Sequence, residues 1–255
     1  MNSSLKFFIY MKEAPLISVI IPCYNEEAYI KDLLESIKQQ TYTNYEVIAV
    51  DSSDDSTPKI LKKYGVKLIK VPKTNIAAAR NVGIKAAKGD ILALIDADYV
   101  LQKNLFLNIV KFFQKAKYSK VVCIEPRPRV NLKDLRKRDR FKFKILNEVI
   151  SFYKKVSFFT FIPAAYGCDF CRADAVKKSG LFNEKIDVAE DEEFFSRLRR
   201  YGKFKQIKNT VKMSYRRHSK EGTLKTGAVY FLGSVAALFV KKFKFKFKSI
   251  RRKSK

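Results

Sequence analysis

Between residues 16 and 95, short aliphatic runs alternate with segments whose apolar positions recur every three or four residues. That alternation predicts βαβ units and a parallel sheet. The stretch Leu16–Ile21 is apolar without polar alternation, as a strand covered on both faces must be. Asn25 is placed to cap the following helix, in which Ile30, Leu33, Leu34 and Ile37 fall at helical spacing. Further strands are expected at Tyr45–Val50, Val66–Val71 and Ile91–Ile95, with Pro72 closing the second of these. Between them, Ser53–Asp55 offer caps for a helix carrying Ile60 and Leu61, and Ile76–Ala87 reads as an Ala-rich helix ended by Gly89. Leu105, Ile109, Phe112 and Phe113 mark a helix leading to a fifth strand at Lys120–Ile124.

Beyond Pro126 the pattern changes. Residues 132–155 read as a long basic amphipathic helix, Phe158–Phe170 as an apolar aromatic stretch, and Asp187–Tyr201 as a helix. Lys205–Ser214 reads as extended chain, and the segment from Gly222 as apolar and helical. There is no internal repeat and no Gly/Ser linker, so the boundary near residue 125 marks a change of task inside one unit.

Composition sharpens this picture. With 47% apolar and 13% aromatic residues, the chain has the material for a sizeable core. Its 53 Lys and Arg against 25 Asp and Glu leave a net charge of +28, which calls for an anionic partner. The excess is local: nine basic residues against two acids in Arg127–Lys144, and nine with no acid in Lys241–Lys255. Ala228–Val240 is apolar for thirteen residues, short of the ~20 that a spanning helix needs. Phe243, Phe245 and Phe247 then alternate with lysines, which suits an interface with anionic headgroups. The expectation is peripheral attachment to an anionic membrane surface on the cytoplasmic side, with a solubilising tail behind a core helix as the alternative. Few thiols and no secretory signal pattern agree with an intracellular, reducing setting. Cys168-x-x-Cys171 lacks a second ligand pair, so two buried free thiols are expected in preference to a metal site.

Ligands of open α/β sheets bind beyond the carboxyl ends of the strands. Three features land there: Pro22-Cys23-Tyr24-Asn25-Glu26, Asp51, and Asp96-Ala97-Asp98. Neither a Gly-x-Gly-x-x-Gly run nor a phosphate-cradling loop with Lys-Ser/Thr is present, which argues against dehydrogenase and P-loop chemistry. In extended chain, Asp96 and Asp98 would point to one side and could share a hard cation, Mg²⁺ or Mn²⁺. Such an ion offsets charge that develops on a diphosphate leaving group.

The ordered set Ser18-Val-Ile-Ile-Pro-Cys-Tyr-Asn-Glu-Glu27, Val47-Ile-Ala-Val-Asp51, Ala79-Arg80-Asn81-Val-Gly83 and Gly89-Asp90 leading to Asp98 resembles the nucleotide-binding half of inverting family 2 glycosyltransferases. The resemblance covers roughly residues 16–215. It implies a GT-A fold, an α/β architecture with a Rossmann-like, mostly parallel sheet and helices on both faces, here followed by an apolar and basic C-terminal helical extension. Together with the change of pattern near residue 125 and the C-terminal Lys/Phe pattern, it divides the chain into an extension (1–15), a nucleotide-sugar-binding half (16–125), an acceptor-binding and catalytic half (126–221) and a membrane-association segment (222–255). It also implies roles for particular residues. Pro22, Tyr24 and Glu26 would line the base and ribose pocket, and Asp51 would accept a hydrogen bond from the base. Arg80 would reach toward base or diphosphate, Asp96 would hold ribose or metal, and Asp98 would hold the metal.

The run Glu190-Asp191-Glu192-Glu193 resembles the family's acidic motif, with Asp191 as general base and Glu190 as the second candidate. Four acids at a helix start also complement the helix dipole without any catalytic role. Gly167, Cys168 and Asp169 resemble the acceptor-side strand and turn, although Asn is more usual where Asp169 stands. His218, the single histidine, is either a further metal ligand or a surface residue. No Gln-x-x-Arg-Trp motif of processive relatives occurs, and the chain has no Trp, so a single transfer to a glycan or lipid-linked hydroxyl is expected. The competing classes are a basic nucleic-acid binder, for which acids at strand ends are unsuited without a metal, and a catalytically inactive nucleotide-binding relative.

Overall fold

The computed structural model describes residues 14–130, 141, 148, 167–186 and 190–214. The expected basic helix at 132–155, most of the apolar stretch before Gly167, the segment 222–255 and His218 lie outside the described residues.

The first half follows its hydrophobic pattern. Strands β1 (Ile17–Cys23), β2 (Tyr45–Asp51), β3 (Lys67–Lys70) and β4 (Ile91–Ile95) alternate with helices α1 (Ile30–Lys38), α2 (Thr57–Lys63) and α3 (Ile76–Ala86). They pair in parallel in the order β3-β2-β1-β4, with Ile17 opposite both Tyr45 and Ile91. β5 (Tyr99–Leu101), α4 (Leu105–Gln114), β6 (Val121–Val130), β7 (Cys168–Arg172), α5 (Ala173–Ser179), α6 (Glu190–Leu198) and β8 (Lys203–Met213) complete the described elements. The sheet continues β4-β7-β6-β8-β5, with antiparallel steps at β4–β7, β7–β6 and β8–β5 and a parallel step at β6–β8. It is therefore parallel through its first half and mixed beyond β4.

Both faces are covered. Alternate residues Ile17, Val19 and Ile21 of β1 and Ile91, Ala93 and Ile95 of β4 pack against α1, α2 and α4 through Leu33, Leu61, Phe106 and Ile109. The intervening residues Ile20, Leu92 and Leu94 meet Ala77 of α3, Val176 of α5 and Phe194 and Leu198 of α6. Burial of these apolar side chains is the main favourable term in the fold. α3 comes close enough to β1 that a Cβ on Gly83 would stand 2.3 Å from Ile20 Cγ2.

Local details depart from the sequence expectations in physical ways. Asn25 does not cap α1, which starts after Tyr29 without a side-chain cap. Asn25 instead takes a left-handed conformation, φ 56°, which Asn tolerates better than most residues. There its amide N–H donates to Ser53 Oγ (2.8 Å) and its Oδ1 accepts from the Asp54 N–H (2.9 Å), tying the loop after β1 to the loop after β2. β6 runs on through Pro126 and Pro128 to Val130. Its pairing with β7 ends at Ile124, so beyond that point, among the described residues, the prolines interrupt no ladder on that edge and β8 is the partner.

The tight α3–β1 contact gives a stability test. Gly83→Ala should lower the unfolding free energy by about 1–3 kcal/mol through overpacking against Ile20. The readout is the urea midpoint at unchanged slope; an unmoved midpoint would show that Ile20 gives way at no cost.

Candidate active site

The loops at the carboxyl ends of β1, β2 and β4 gather the acids singled out in the sequence. Asp51 ends β2 and is fully buried. Lys70 Nζ lies 2.6 Å from its Oδ2, and the Ser53 N–H donates to its Oδ1 at 3.3 Å. Glu26 is buried beside it, its backbone N–H donating to Thr57 Oγ1 at 2.9 Å. Tyr24 is half-buried and faces the Lys73 ammonium, 5.3 Å from its ring centre. Pro22, one residue before the end of β1, is half-buried at the same edge. These residues form one rim, built by three successive parallel strands.

Asp96, Ala97 and Asp98 lie between β4 and β5. They sit in a turn closed by the Tyr99 N–H donating to Asp96 O (3.3 Å), so the expected extended geometry is replaced. Ala97 is buried, while Asp96 and Asp98 are both half-buried. The backbone holds both ends of this turn. The Asp96 N–H donates to Gly167 O (2.8 Å) and the Ser214 N–H to Asp98 O (3.1 Å). Gly167, from the acceptor-side set, has φ +71°, and a Cβ there would lie 2.1 Å from Asp96 Oδ2. Close packing against a carboxylate and a left-handed backbone both demand glycine.

Arg80 connects the two halves. It projects from α3 and is only 5% exposed. Its Nη2 donates to Asp96 Oδ1 at 2.9 Å and its Nη1 to Glu190 Oε1 at 3.1 Å, while its guanidinium carbon lies 5.4 Å from the centre of the Phe182 ring. Burial alone would weaken its charge, but Asp96, Glu190 and Asp191 outweigh that and hold the guanidinium firmly protonated. Sequence analysis aimed Arg80 at base or diphosphate; its described hydrogen bonds go to carboxylates.

The two candidate bases start α6. Glu190 is buried, and burial together with the neighbouring Asp191 raises its carboxyl from 4.5 to about 7, against the pull of Arg80. Burial also raises Asp191, opposed by Arg80 and by the Glu192 N–H, which donates to Asp191 Oδ1 at 2.8 Å. Asp96, Glu190 and Asp191 thus surround one arginine, leaving an excess of negative charge.

On β7, Cys168 belongs to the core shared with α1 and α4, whereas Cys171 belongs to the core shared with α5 and α6. All four thiols are free and buried, and Cys171 neighbours Cys123, Sγ to Sγ 3.5 Å. Asp169 is buried between them in sequence, paired in register with Leu94 of β4.

Sequence reasoning assigned no role to Asn81 or Phe182. Asn81 is 2% exposed and makes three hydrogen bonds to Phe182 and Glu184. The signals for Asn81 were its place in the Ala79–Gly83 run and its being a polar, poor helix former inside an Ala-rich helix.

A mixed sheet with helices on both faces and acids at its carboxyl rim defines a class, and comparison with known proteins specifies it. The profile described as Glycosyl transferase family 2 matches residues 18–178, so the chain belongs to that family. The chain is 27% identical over 207 residues to the minor teichoic acid biosynthesis protein GgaA of Bacillus subtilis, covering 73% of this chain and 45% of that one. It is 37% identical over 107 residues to the poly(ribitol-phosphate) β-N-acetylglucosaminyltransferase TarS of Staphylococcus aureus, covering 38% and 19%. The structure of TarS residues 1–349 with UDP-GlcNAc aligns at a TM-score of 0.61 and 20% identity, over 78% of this chain and 58% of that one. The mannosyltransferase PcManGT of Pyrobaculum calidifontis, solved with GDP-Man and Mn²⁺, aligns at 0.59 and 20% identity, over 86% and 64%. The fold is thus of the GT-A type. The chain spans less than half the length of these curated relatives.

The raised Glu190 carboxyl gives a pH prediction. Between about pH 4.5 and 7 the folded chain binds a proton that the unfolded chain has released, so stability falls as pH rises through that window. The melting temperature of the natural chain should drop from pH 5 to pH 8 more steeply than that of Glu190→Gln. Equal slopes would place Glu190 in an ordinary carboxylate environment.

Proposed function

We propose that the chain transfers a single sugar from a nucleotide-diphosphate donor to an acceptor hydroxyl, with inversion and with a divalent cation. The observation that carries this reading is Arg80, which joins Asp96 at the end of β4 to Glu190 at the start of α6. It brings carboxylates from the donor rim and from the acceptor side into one cluster, as a direct displacement between two bound substrates requires.

The rim formed by Pro22, Tyr24, Glu26 and Asp51 would receive base and ribose. The Tyr24 ring offers a stacking surface, and Asp51 an acceptor whose position is set by Ser53 and Lys70. Asp96 and Asp98, carried in one turn after β4, would be the cation's carboxylate ligands, with diphosphate oxygens completing the shell in the way Mg²⁺ and Mn²⁺ are ordinarily held. Among the described residues no group of three or more His, Cys, Asp or Glu side chains is gathered to hold an ion, which leaves that completion to the substrate or to His218. When bound, the ion would stabilise charge on the departing diphosphate. Supporting this assignment, the aligned mannosyltransferase was solved with Mn²⁺.

On the other side, Asp191 would take the proton of the attacking hydroxyl. Burial raises its carboxyl, and Arg80 and the Glu192 N–H at the start of α6 oppose that rise and favour the ionised form that a base needs. Glu190, committed to Arg80, would hold the arginine in place. Gly167 and the start of β7 would let acceptor and donor sugar approach, since a side chain at Gly167 would displace Asp96.

The names of GgaA and TarS point to cell-envelope polymers as the acceptor class, and a lipid-linked glycan suits the same chemistry. UDP-GlcNAc and GDP-Man in the aligned structures leave both bases as donor candidates. A panel of UDP-, GDP- and dTDP-sugars with Mg²⁺ or Mn²⁺, scored for nucleotide release, tests the reading. Asp98→Ala should abolish metal-dependent donor binding. Asp191→Asn should keep donor binding and lose at least about a hundredfold in transfer. Transfer at the natural rate by Asp191→Asn would remove the base assignment.

We also propose attachment to the cytoplasmic face of the membrane through 222–255, supported by the Lys/Phe alternation after residue 240. Among the described residues, no helix is long and apolar enough to cross a membrane. Removing residues 241–255 should release the chain from anionic phosphatidylserine vesicles. Undiminished sedimentation with those vesicles would refute the attachment.

A further inference from the structure

The acids of α6 need a fixed distance from Arg80, yet α6 packs mainly through aromatic rings. Phe194 stacks on Phe182, with ring centres 4.0 Å apart at 13°, and Phe195 lies edge-on to Phe194 and Phe204. Ring stacking is favourable over a range of offsets and sets register weakly. Directional hydrogen bonds must therefore supply the register.

They converge on one side chain of α3. Asn81 Nδ2 donates to Phe182 O (2.9 Å) and to Glu184 Oε1 (2.8 Å), while its Oδ1 accepts from the Phe182 N–H (2.9 Å). One buried amide thus satisfies both backbone groups of Phe182, as a neighbouring strand would, across a separation of 101 residues. At the helix start, Asn75 Nδ2 donates to Glu184 O (2.7 Å), adding a second tie to the same strap. The far side of the strap is fixed to α6: Arg197 donates to Leu181 O (2.7 Å) and to Ser179 O. Phe182 is the common element, with the Arg80 guanidinium on its ring and Phe194 of α6 stacked upon it.

We propose that Asn81 is a positioning residue for transfer. It clamps the strap Phe182–Glu184 onto α3, and through Phe182 it holds the first turn of α6, with Glu190 and Asp191, at the distance from Arg80 that the chemistry uses. The clamp also fixes which face of Phe182 meets Arg80. The proposal rests on the transferase reading for its effect on turnover, but the clamp itself is a mechanical claim. Its hydrogen-bond partners, two backbone groups and one exposed carboxylate, are not the rim residues Pro22, Tyr24, Glu26 and Asp51, although the Phe182 ring meets Arg80, so loosening it should affect donor binding far less than turnover.

Asn81→Asp is nearly isosteric. It keeps the acceptor for the Phe182 N–H, loses both donated bonds and sets a carboxylate against Glu184. We expect kcat to fall about tenfold or more, because a small misplacement of reacting groups is enough for that. The KM for the donor and the affinity for the corresponding nucleoside diphosphate with Mn²⁺ should stay within about threefold. Hydrogen exchange in a peptide spanning 190–198 should quicken about tenfold as the helix start loosens. The double variant Asn81→Asp/Glu184→Gln returns a donor to the aspartate and should recover part of both losses.

If Asn81→Asp does not fold, Glu184→Ala at its exposed position removes one bond of the clamp. It should show the same two effects at about threefold. Unchanged exchange in 190–198 overturns the clamp whether or not the chain transfers sugar. Natural kcat in a variant whose exchange has quickened overturns the positioning role. A natural chain that turns over no donor in the panel refutes the transferase reading, and the exchange measurement still decides the clamp.

Discussion

A single buried guanidinium sets the terms for the rest of this molecule. Arg80 is nearly inaccessible to water, so its charge must be met by protein groups. The groups that meet it come from the end of β4 and the start of α6. Removing one partner of a buried pair typically costs about 3–5 kcal/mol, because the other charge is left uncompensated. The segments on either side of the site are therefore bound together by electrostatics as well as by apolar packing. Asp96, Glu190 and Asp191 all act on this one arginine, and burial, with Asp191 beside it, still raises the Glu190 carboxyl against the pull of Arg80.

The two faces of the sheet divide the work. The face under α1, α2 and α4 is filled by aliphatic and aromatic side chains from every strand of the parallel half and contributes stability. The face under α3, α5 and α6 carries Arg80, Asn81 and Glu190 among its apolar residues. β7 serves both faces, with Cys168 packed into one core and Cys171 into the other. That alternation explains why the Cys-x-x-Cys spacing does not gather two sulfurs: on a strand, residues three apart point to opposite sides.

Much of the fold was legible because β1 and β4 are buried on both faces and read as almost wholly apolar runs, while α1 and α4 carry clear helical periodicity. The rim acids were legible because they directly follow those strands. The mixed half was less so. β5 is three residues long, and β6 contains two prolines, which lie beyond Ile124 where its described pairing with β7 ends. Local sequence cannot report which partner a strand will find at long range. The same limit hid the relation of Arg80 to Glu190, 110 residues apart, and of Asn81 to Phe182. Asn25 misled for a different reason: Asn is favoured both at helix starts and in left-handed turns, and only the partners Ser53 and Asp54 decide between them.

These long-range contacts share a logic that follows from the sheet. The sheet carries α3 and α6 on the same face without specifying their relative height to a fraction of an ångström. Apolar contacts tolerate sliding, and a carboxylate that must meet a proton in flight does not. Directional groups at the interface resolve that mismatch: the fork of Arg80 fixes the acids laterally, and the amide of Asn81 fixes the strap along the helix. Both lie on α3, adjacent in sequence, which makes that single helix the reference against which the acids after β4 and the acids of α6 are aligned.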